Sequence, residues 1–185
     1  PEEKLWYHRT FSTPNDWNAG KLLLHFGAVD WHTRVYVNGE LVGEHKGGYD
    51  PFSLDISDAI SENEEQELIV EVMDTTDEGK QPTGKQTLDP RGIWYTPTTG
   101  IWRTAWLEPV PETYISKIKI TPDIDQELLY LEVMTNQAAD SWTVKADALD
   151  SEQEVATTTD MANDRIAMPI SNPKLWSPDS PHLYD

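Results

Sequence analysis

The feature that most constrains this chain is a period-two alternation of apolar and polar residues, interrupted at short intervals by turn residues. "TRVYVNGELVG" shows it best: Val35 and Val37 alternate with Arg34 and Tyr36, and Asn38-Gly39 then supplies a two-residue reversal. Both central residues of such a turn need positive φ, which Asn and Gly tolerate, so the segment is a β-hairpin. "KLLLHFGAV" places Leu22, Leu24, Phe26 and Ala28 on one face; "PFSLDIS" alternates Phe52, Leu54 and Ile56; "ELIVEVMD" alternates Leu68, Val70 and Val72. "IWRTAWLEPV" closes this first block as a further strand. No segment sustains a 3.6-residue period, so helix is a minor component and the chain is all-β. In "SDAISENEEQ", Ser57 or Asp58 is positioned to cap one short helical turn, and the glutamates form a solvated bend.

Past "EPVPET", where Pro109 and Pro111 punctuate the chain, the pattern restarts with "YISKIKI", "LLYLEVMT", "WTVKADALD", "EVATTT" and "RIAMPI". These short strands suit a second, smaller sandwich. Two domains are expected, 1–111 and 112–185. The ending "NPKLWSPDSPHLYD" is rich in proline and offers no further strand, so the second sandwich is expected to lack its last one.

Composition narrows the function. The 14 basic and 33 acidic residues give a net charge of −19, which repels phosphate backbones and anionic lipid, so neither nucleic acid nor a membrane surface is expected as a partner. The apolar runs ("LLL", "LIV") are far short of a membrane span, and no charged start followed by an apolar core stands at Pro1, so no signal peptide is expected in these residues. The absence of cysteine removes disulfides, thiolate catalysis and Cys-type zinc sites.

Motifs for catalysis are missing. There is no Gly-x-Ser-x-Gly elbow, and His8, His25, His32 and His45 fall on or beside expected strands, where a structural role suits them. No His-x-x-x-His pair exists, "DEG" at Asp77–Gly79 is far from a calcium loop, and "EHKGGYDPF" lacks the spacing and following helix of a phosphate loop. Neither metal nor cofactor is expected. A glycosidase needs two carboxylates flanking one bond, and sequence spacing within β-loops does not establish such a pair. Asn63-Glu64 resembles a catalytic Asn-Glu dipeptide only by coincidence, since no barrel strand leads into it.

The aromatic stretch "DPRGIWYTPTTGIWRTAWLEPV" is the richest for binding. Alternation puts Ile101, Arg103, Ala105 and Leu107 on one face and Trp102, Thr104 and Trp106 on the other, so Trp102 and Trp106 are expected to pack in the core. Trp94 and Tyr95 precede the strand, beside Asp89 and Arg91. Loop aromatics next to an acid and an arginine suit a sugar, the ring against the C–H face and the charges on the hydroxyls. Plugging the end of the sandwich suits the two rings equally.

In order along the chain, "WYHRTF", "LLLHFGAVDWHTRVYVNGELVGEHKGGYDPFSLDIS", "ELIVEVMD", "GIWYTPTTGIWRTAWLEPV" and "LWSPDSPHLYD" resemble the amino-terminal half of glycoside hydrolase family 2, the β-galactosidase, β-glucuronidase and β-mannosidase group. The resemblance implies a jelly-roll sugar-binding domain to about Val110, like galactose-binding domains, followed by an immunoglobulin-like sandwich. It implies that the parent protein continues into a (β/α)8 barrel carrying both catalytic glutamates. The parent would then hydrolyse a β-glycoside with retention, and this chain would hold no catalytic residue. The loop that reaches the family's sugar pocket maps to Lys85–Tyr95, which makes Asp89, Arg91, Trp94 and Tyr95 the ligand-binding candidates. Where some β-galactosidases place an aspartate touching sugar and sodium, this chain has Gly92. The implied partners are a β-glycoside and the barrel of the same polypeptide. Surface meant for that barrel would promote association between copies. A stand-alone carbohydrate-binding module is the alternative. Bacterial polysaccharide degraders of the family favour a periplasmic or secreted location over the cytoplasm.

Overall fold

The structure is a computed structural model that describes residues 4–17, 20–62, 65–137 and 142–185; Asn63-Glu64 lies outside the described residues. The chain divides into two compact units, Pro1–Glu112 and Thr113–Asp185. Both are antiparallel β-sandwiches, and among the described residues no helix is long and apolar enough to cross a membrane.

Unit 1 is built from β1 (Lys4–Phe11), β2 (Lys21–Phe26), β3 (Val29–Asp30), β4 (His32–Val37), β5 (Glu40–Lys46), β6 (Phe52–Asp55), β7 (Gln66–Met73), β8 (Gly100–Ile101) and β9 (Ala105–Val110). They form sheets ordered β1-β7-β4-β5, β6-β2-β9 and β3-β8. The alternating residues read from the sequence meet between the sheets: Leu22, Leu24 and Phe26 from β2, Val35 and Val37 from β4, Val70 and Val72 from β7, with Val29, Ile56 and Ala59.

The β4–β5 hairpin turns at Asn38 (φ 50°) and Gly39 (φ 82°), as the Asn-Gly pair requires. Asn38 does more than turn the chain. Its Nδ2 donates to the Ala59 carbonyl (2.8 Å) and to Gln66 Oε1 (2.7 Å), and its Oδ1 accepts from the Glu67 N–H (2.9 Å). One side chain thus ties the hairpin to β7 and to the turn that precedes it.

Two expectations are corrected. The stretch 101–110 is not one strand: pairing stops between β8 and β9, where Gly27 N–H bonds the Thr104 carbonyl (2.8 Å), so the alternation is broken before Trp106. Trp102 is accordingly 50% exposed and Trp106 45% exposed, and neither belongs to the core. Register explains Trp106: it lies opposite His25, on the outer face, whereas Leu107 lies opposite Leu24 and faces inward. Second, the 3-10 turn at Ser57–Ala59 has Ile56 at its N-cap, with no side-chain cap bond. Ser57 Oγ instead donates to Asp55 Oδ1 (2.5 Å) and accepts from the Leu22 N–H (2.9 Å), fastening the turn to β2. Pro109 sits within β9, at a sheet edge, where a missing N–H costs no ladder bond.

Unit 2 contains β10 (Ile115–Asp123), β11 (Leu128–Thr135), β12 (Thr143–Asp150), β13 (Gln153–Met161) and β14 (Arg165–Pro169). Sheet β10-β11-β14 faces the pair β12-β13 across Leu131, Val133, Ala148, Ile166, Met168 and Ile170. The β12–β13 reversal uses Ser151 (φ 51°) and Glu152 (φ 73°), left-handed positions without a glycine.

Candidate functional site

The longest connection in unit 1 runs from Asp74 to Thr99, between β7 and β8, and carries all four candidates. Its two ends are joined by buried Asp74, whose Oδ1 accepts from the Thr76 N–H (2.8 Å) and whose Oδ2 accepts from Thr99 Oγ1 (3.1 Å). Further out, Tyr95 N–H donates to the Lys85 carbonyl (2.7 Å) and Thr87 N–H to the Tyr95 carbonyl (3.2 Å), which makes a parallel bridge between Gln86 and Tyr95. Gln86 Oε1 accepts from the Thr98 N–H (2.5 Å) and Oγ1 (3.1 Å). Asp77 accepts from Thr87 Oγ1 (2.6 Å) and the Leu88 N–H (3.4 Å); the Thr87 bond, then the Leu88 amide, hold its carboxyl below the usual range against some desolvation. The stem is therefore pinned by backbone and side-chain bonds that use none of the candidate side chains.

Beyond the stem the tip is open to solvent. Asp89 Oδ2 and Arg91 Nε lie 3.9 Å apart with both side chains more than four-fifths exposed, a contact worth about 0–1 kcal/mol. Such a pair is free to exchange its partner for a ligand group. Trp94 is 47% and Tyr95 61% exposed, so neither plugs the sandwich. Lys85 Nζ sits 5.8 Å from the Tyr95 ring centroid, and Trp94 N–H donates to the Arg91 carbonyl (3.1 Å). The structure thus brings Asp89 to Arg91 and Lys85 to Tyr95, and joins Trp94 to Arg91 through the backbone.

Residues missed in the sequence lie beside the stem. Exposed Tyr49 meets Trp102 edge-on at 6.0 Å, the Arg103 guanidinium lies 4.8 Å over the Trp102 ring, and Trp102 Nε1 donates to the Gly48 carbonyl (2.7 Å). Tyr49 reaches the loop, since a β-carbon placed on Gly84 would stand 3.7 Å from its hydroxyl. Half-buried Asp30 is the other omission. Burial raises its carboxyl above the usual range, the charge of Asp74 raises it further, and a hydrogen bond with Gln86 works the other way. A β-carbon at Gly48 would press on that carboxylate, which lies close over the backbone there. The only sequence signal for Tyr49 was its place in "KGGYDP"; Trp102 was hidden by an alternation that does not extend through it. Among the described residues no three His, Asp or Glu side chains gather in a way that could hold a metal ion.

Two antiparallel sandwiches, the first presenting an aromatic and charged loop, define the architecture, and sequence comparison fixes the family. Residues 2–111 match "Glycosyl hydrolases family 2, sugar binding domain" and residues 113–185 match "Glycosyl hydrolases family 2". The chain belongs to glycoside hydrolase family 2. It is 28% identical to a β-galactosidase of Thermoanaerobacter pseudethanolicus over 97% of its length and 25% of that protein's. It is 30% identical to a putative β-glucuronidase of Formosa agariphila, covering 97% of this chain and 22% of that one. Among solved structures, a β-glucuronidase from an uncultured Clostridium superposes with a TM-score of 0.77 at 27% identity, over 98% of this chain and 32% of that chain. The chain thus spans 22–32% of the length of these relatives.

Proposed function

We propose that this chain is the non-catalytic amino-terminal part of a retaining β-glycoside hydrolase, and that its 85–95 loop borders the sugar pocket of a catalytic (β/α)8 barrel in the same polypeptide. The observation that carries this reading is the pinned stem with an exposed tip: the bonds of Asp74, Asp77 and Gln86 hold the loop, leaving Asp89, Arg91, Trp94 and Tyr95 available. In this reading the indole of Trp94 and the ring of Tyr95 cover the apolar C–H face of a sugar, while Asp89 accepts from its hydroxyls and Arg91 donates to its oxygens. The general acid and the nucleophile belong to the barrel, which makes bond cleavage foreign to the 185 residues. A pocket wall of this kind acts on binding more than on chemistry.

The test pairs two measurements. In the longer enzyme, Trp94→Ala is expected to raise KM for a β-glycoside about 10-fold or more with kcat changed less, as loss of uniform binding does. In calorimetry the 185-residue chain alone is expected to show no heat with monosaccharides or β-linked oligosaccharides. Unchanged KM would sink the pocket-wall role.

A second reading, a free-standing carbohydrate-binding module, is favoured by one observation. Trp106 is half-exposed on a sheet face, stacked on His25 at 4.8 Å and 13°, and His25 is held through Nδ1 by Ser53 Oγ (2.6 Å), with Glu108 2.9 Å from its Nε2. That is an oriented aromatic platform. Millimolar or tighter binding by the isolated chain, lost on Trp106→Ala and kept on Trp94→Ala, would select this second reading.

A further inference from the structure

Beside the 85–95 loop stands a second pair of rings that the pocket-wall reading leaves idle. Tyr49 and Trp102 are each about half exposed and stand outside the unit 1 core. Their planes meet at 76°, with the centroids 6.0 Å apart. Two exposed rings at nearly a right angle make a corner, not a flat patch.

The corner is fixed from behind. Trp102 Nε1 donates to the Gly48 carbonyl (2.7 Å), and the Arg103 guanidinium lies 4.8 Å from the indole centroid. Trp102 N–H donates to the Ala28 carbonyl (3.4 Å) and Gly47 N–H to the Trp31 carbonyl (3.3 Å), so both sides of the corner hang on the residues flanking β3. β3 also carries the loop: Asp30 lies opposite Gly100 and bonds Gln86, which fastens the stem at Thr98. Corner and loop are therefore set on one frame. They also adjoin. The Tyr49 hydroxyl would stand 3.7 Å from a β-carbon on Gly84, and the next residue, Lys85, reaches the Tyr95 ring at 5.8 Å.

The chemistry of the corner suits a sugar. An indole whose N–H is already bonded to a carbonyl has only apolar surface left to offer, which matches the C–H face of a pyranose. The Tyr49 hydroxyl, on the loop side, can donate to and accept from sugar hydroxyls. A neutral glycan meets no penalty from the net charge of −19.

We propose that Tyr49 and Trp102 form a second sugar subsite, holding the next unit of a β-linked oligosaccharide whose end lies against the 85–95 loop. This rests on the reading that the loop borders the sugar pocket of a longer hydrolase. Such an enzyme discriminates by substrate length. A glycoside of one sugar with a small leaving group does not reach the corner, whereas a trisaccharide covers it.

Kinetics of the longer enzyme test this. The p-nitrophenyl β-galactoside and β-glucuronide identify the terminal sugar, and a β-linked trisaccharide ending in that sugar is compared with the one cleaved. Tyr49→Ala is expected to raise KM about 10-fold for the trisaccharide and to leave the p-nitrophenyl glycoside within about 2-fold. Tyr49→Phe, which keeps the ring, is expected to restore most of the loss. Trp102→Ala also removes the bond to Gly48, so the Tyr49 pair is the cleaner probe. Equal losses on both substrates would mean that Tyr49 packs on another part of the longer polypeptide, and would overturn the subsite. No loss on either overturns it too. Should neither p-nitrophenyl glycoside be cleaved, the hydrolase reading breaks, and titration of β-galactotriose against galactose reads the same contrast as affinity; equal or no binding then overturns the subsite. The two readings fail separately: Trp94→Ala raising KM for both substrates with Tyr49→Ala silent keeps the pocket wall and removes the subsite. A length-dependent loss at Tyr49 with Trp94→Ala silent does the reverse.

Discussion

Units 1 and 2 are both antiparallel sandwiches with alternating strands, but they close to different extents. In unit 1 the inward residues Leu22, Leu24, Phe26, Val35, Val37, Val70 and Val72 of β2, β4 and β7 are nearly fully buried, and Phe26, Val35, Val37 and Val72 are 0–1% exposed. In unit 2 the inward isoleucines of β10 stay more than half exposed. Their turns differ in the same sense. Unit 1 reverses through Asn38-Gly39, reinforced by three hydrogen bonds from one side chain, whereas unit 2 places Ser151 and Glu152 in left-handed geometry. Alternation defines a face; whether that face is covered depends on how many strands stand opposite.

This contrast can be broken or sharpened by substitution. The largest effect is expected from Phe26→Ala, which removes a ring stacked at 5.0 Å on Phe52 in a closed core and should cost about 3–5 kcal/mol. Ile118→Ala in the uncovered groove of unit 2 should cost under about 1 kcal/mol, because most of its area is already wet. Denaturant unfolding that found the two equal would erase the distinction between the units. Next comes Asn38→Ala, which strips two donors and one acceptor from a part-buried junction and leaves a non-glycine residue at φ 50°; about 2–3 kcal/mol of unit 1 stability should go. Glu152→Gly works in the opposite direction, relieving a side chain at φ 73° and raising the thermal midpoint of unit 2 by an amount worth about 1 kcal/mol. A drop in that midpoint would refute the strain.

The smallest effect concerns Asp30. A carboxyl whose folded pKa is raised contributes stability that is present below its unfolded pKa and lost as pH rises through the folded one. Asp30→Asn should therefore stabilise unit 1 slightly at pH 7. The gain should vanish as pH falls toward the ordinary carboxylate range. A gain that persists or grows in acid would contradict burial, first, and the charge of Asp74, second, as the causes.

Much of this architecture was legible because it is local. The Asn38-Gly39 hairpin, the inward set Leu22, Leu24 and Phe26, and the strands of unit 2 all follow from side-chain period and turn chemistry. Trp102 and Trp106 were not, since their burial depends on pairing with distant residues. His25 decides the face of Trp106, and the break that frees Trp102 is stabilised by Gly27 and Ala28, more than seventy positions earlier. The same limit applies to the loop. Its aromatics could be picked out by composition, but the stem is held by Asp74, Asp77 and Gln86, polar residues with no pattern of their own. Tyr49 and Asp30 approach the loop from other parts of the chain, which no single stretch of sequence reveals.

The division of labour inside that loop has an evolutionary consequence. Because the anchoring bonds use backbone groups and the side chains of Asp74, Asp77 and Gln86, the side chains of Asp89, Arg91, Trp94 and Tyr95 can change without unfolding the connection that displays them. If the pocket-wall role proposed above holds, a lineage is free to exchange Asp89, Arg91, Trp94 or Tyr95 as its glycan changes without passing through an unstable ancestor. Homologues acting on different sugars should accordingly vary most at the tip and least at the Gln86–Thr98 and Asp74–Thr99 fastenings.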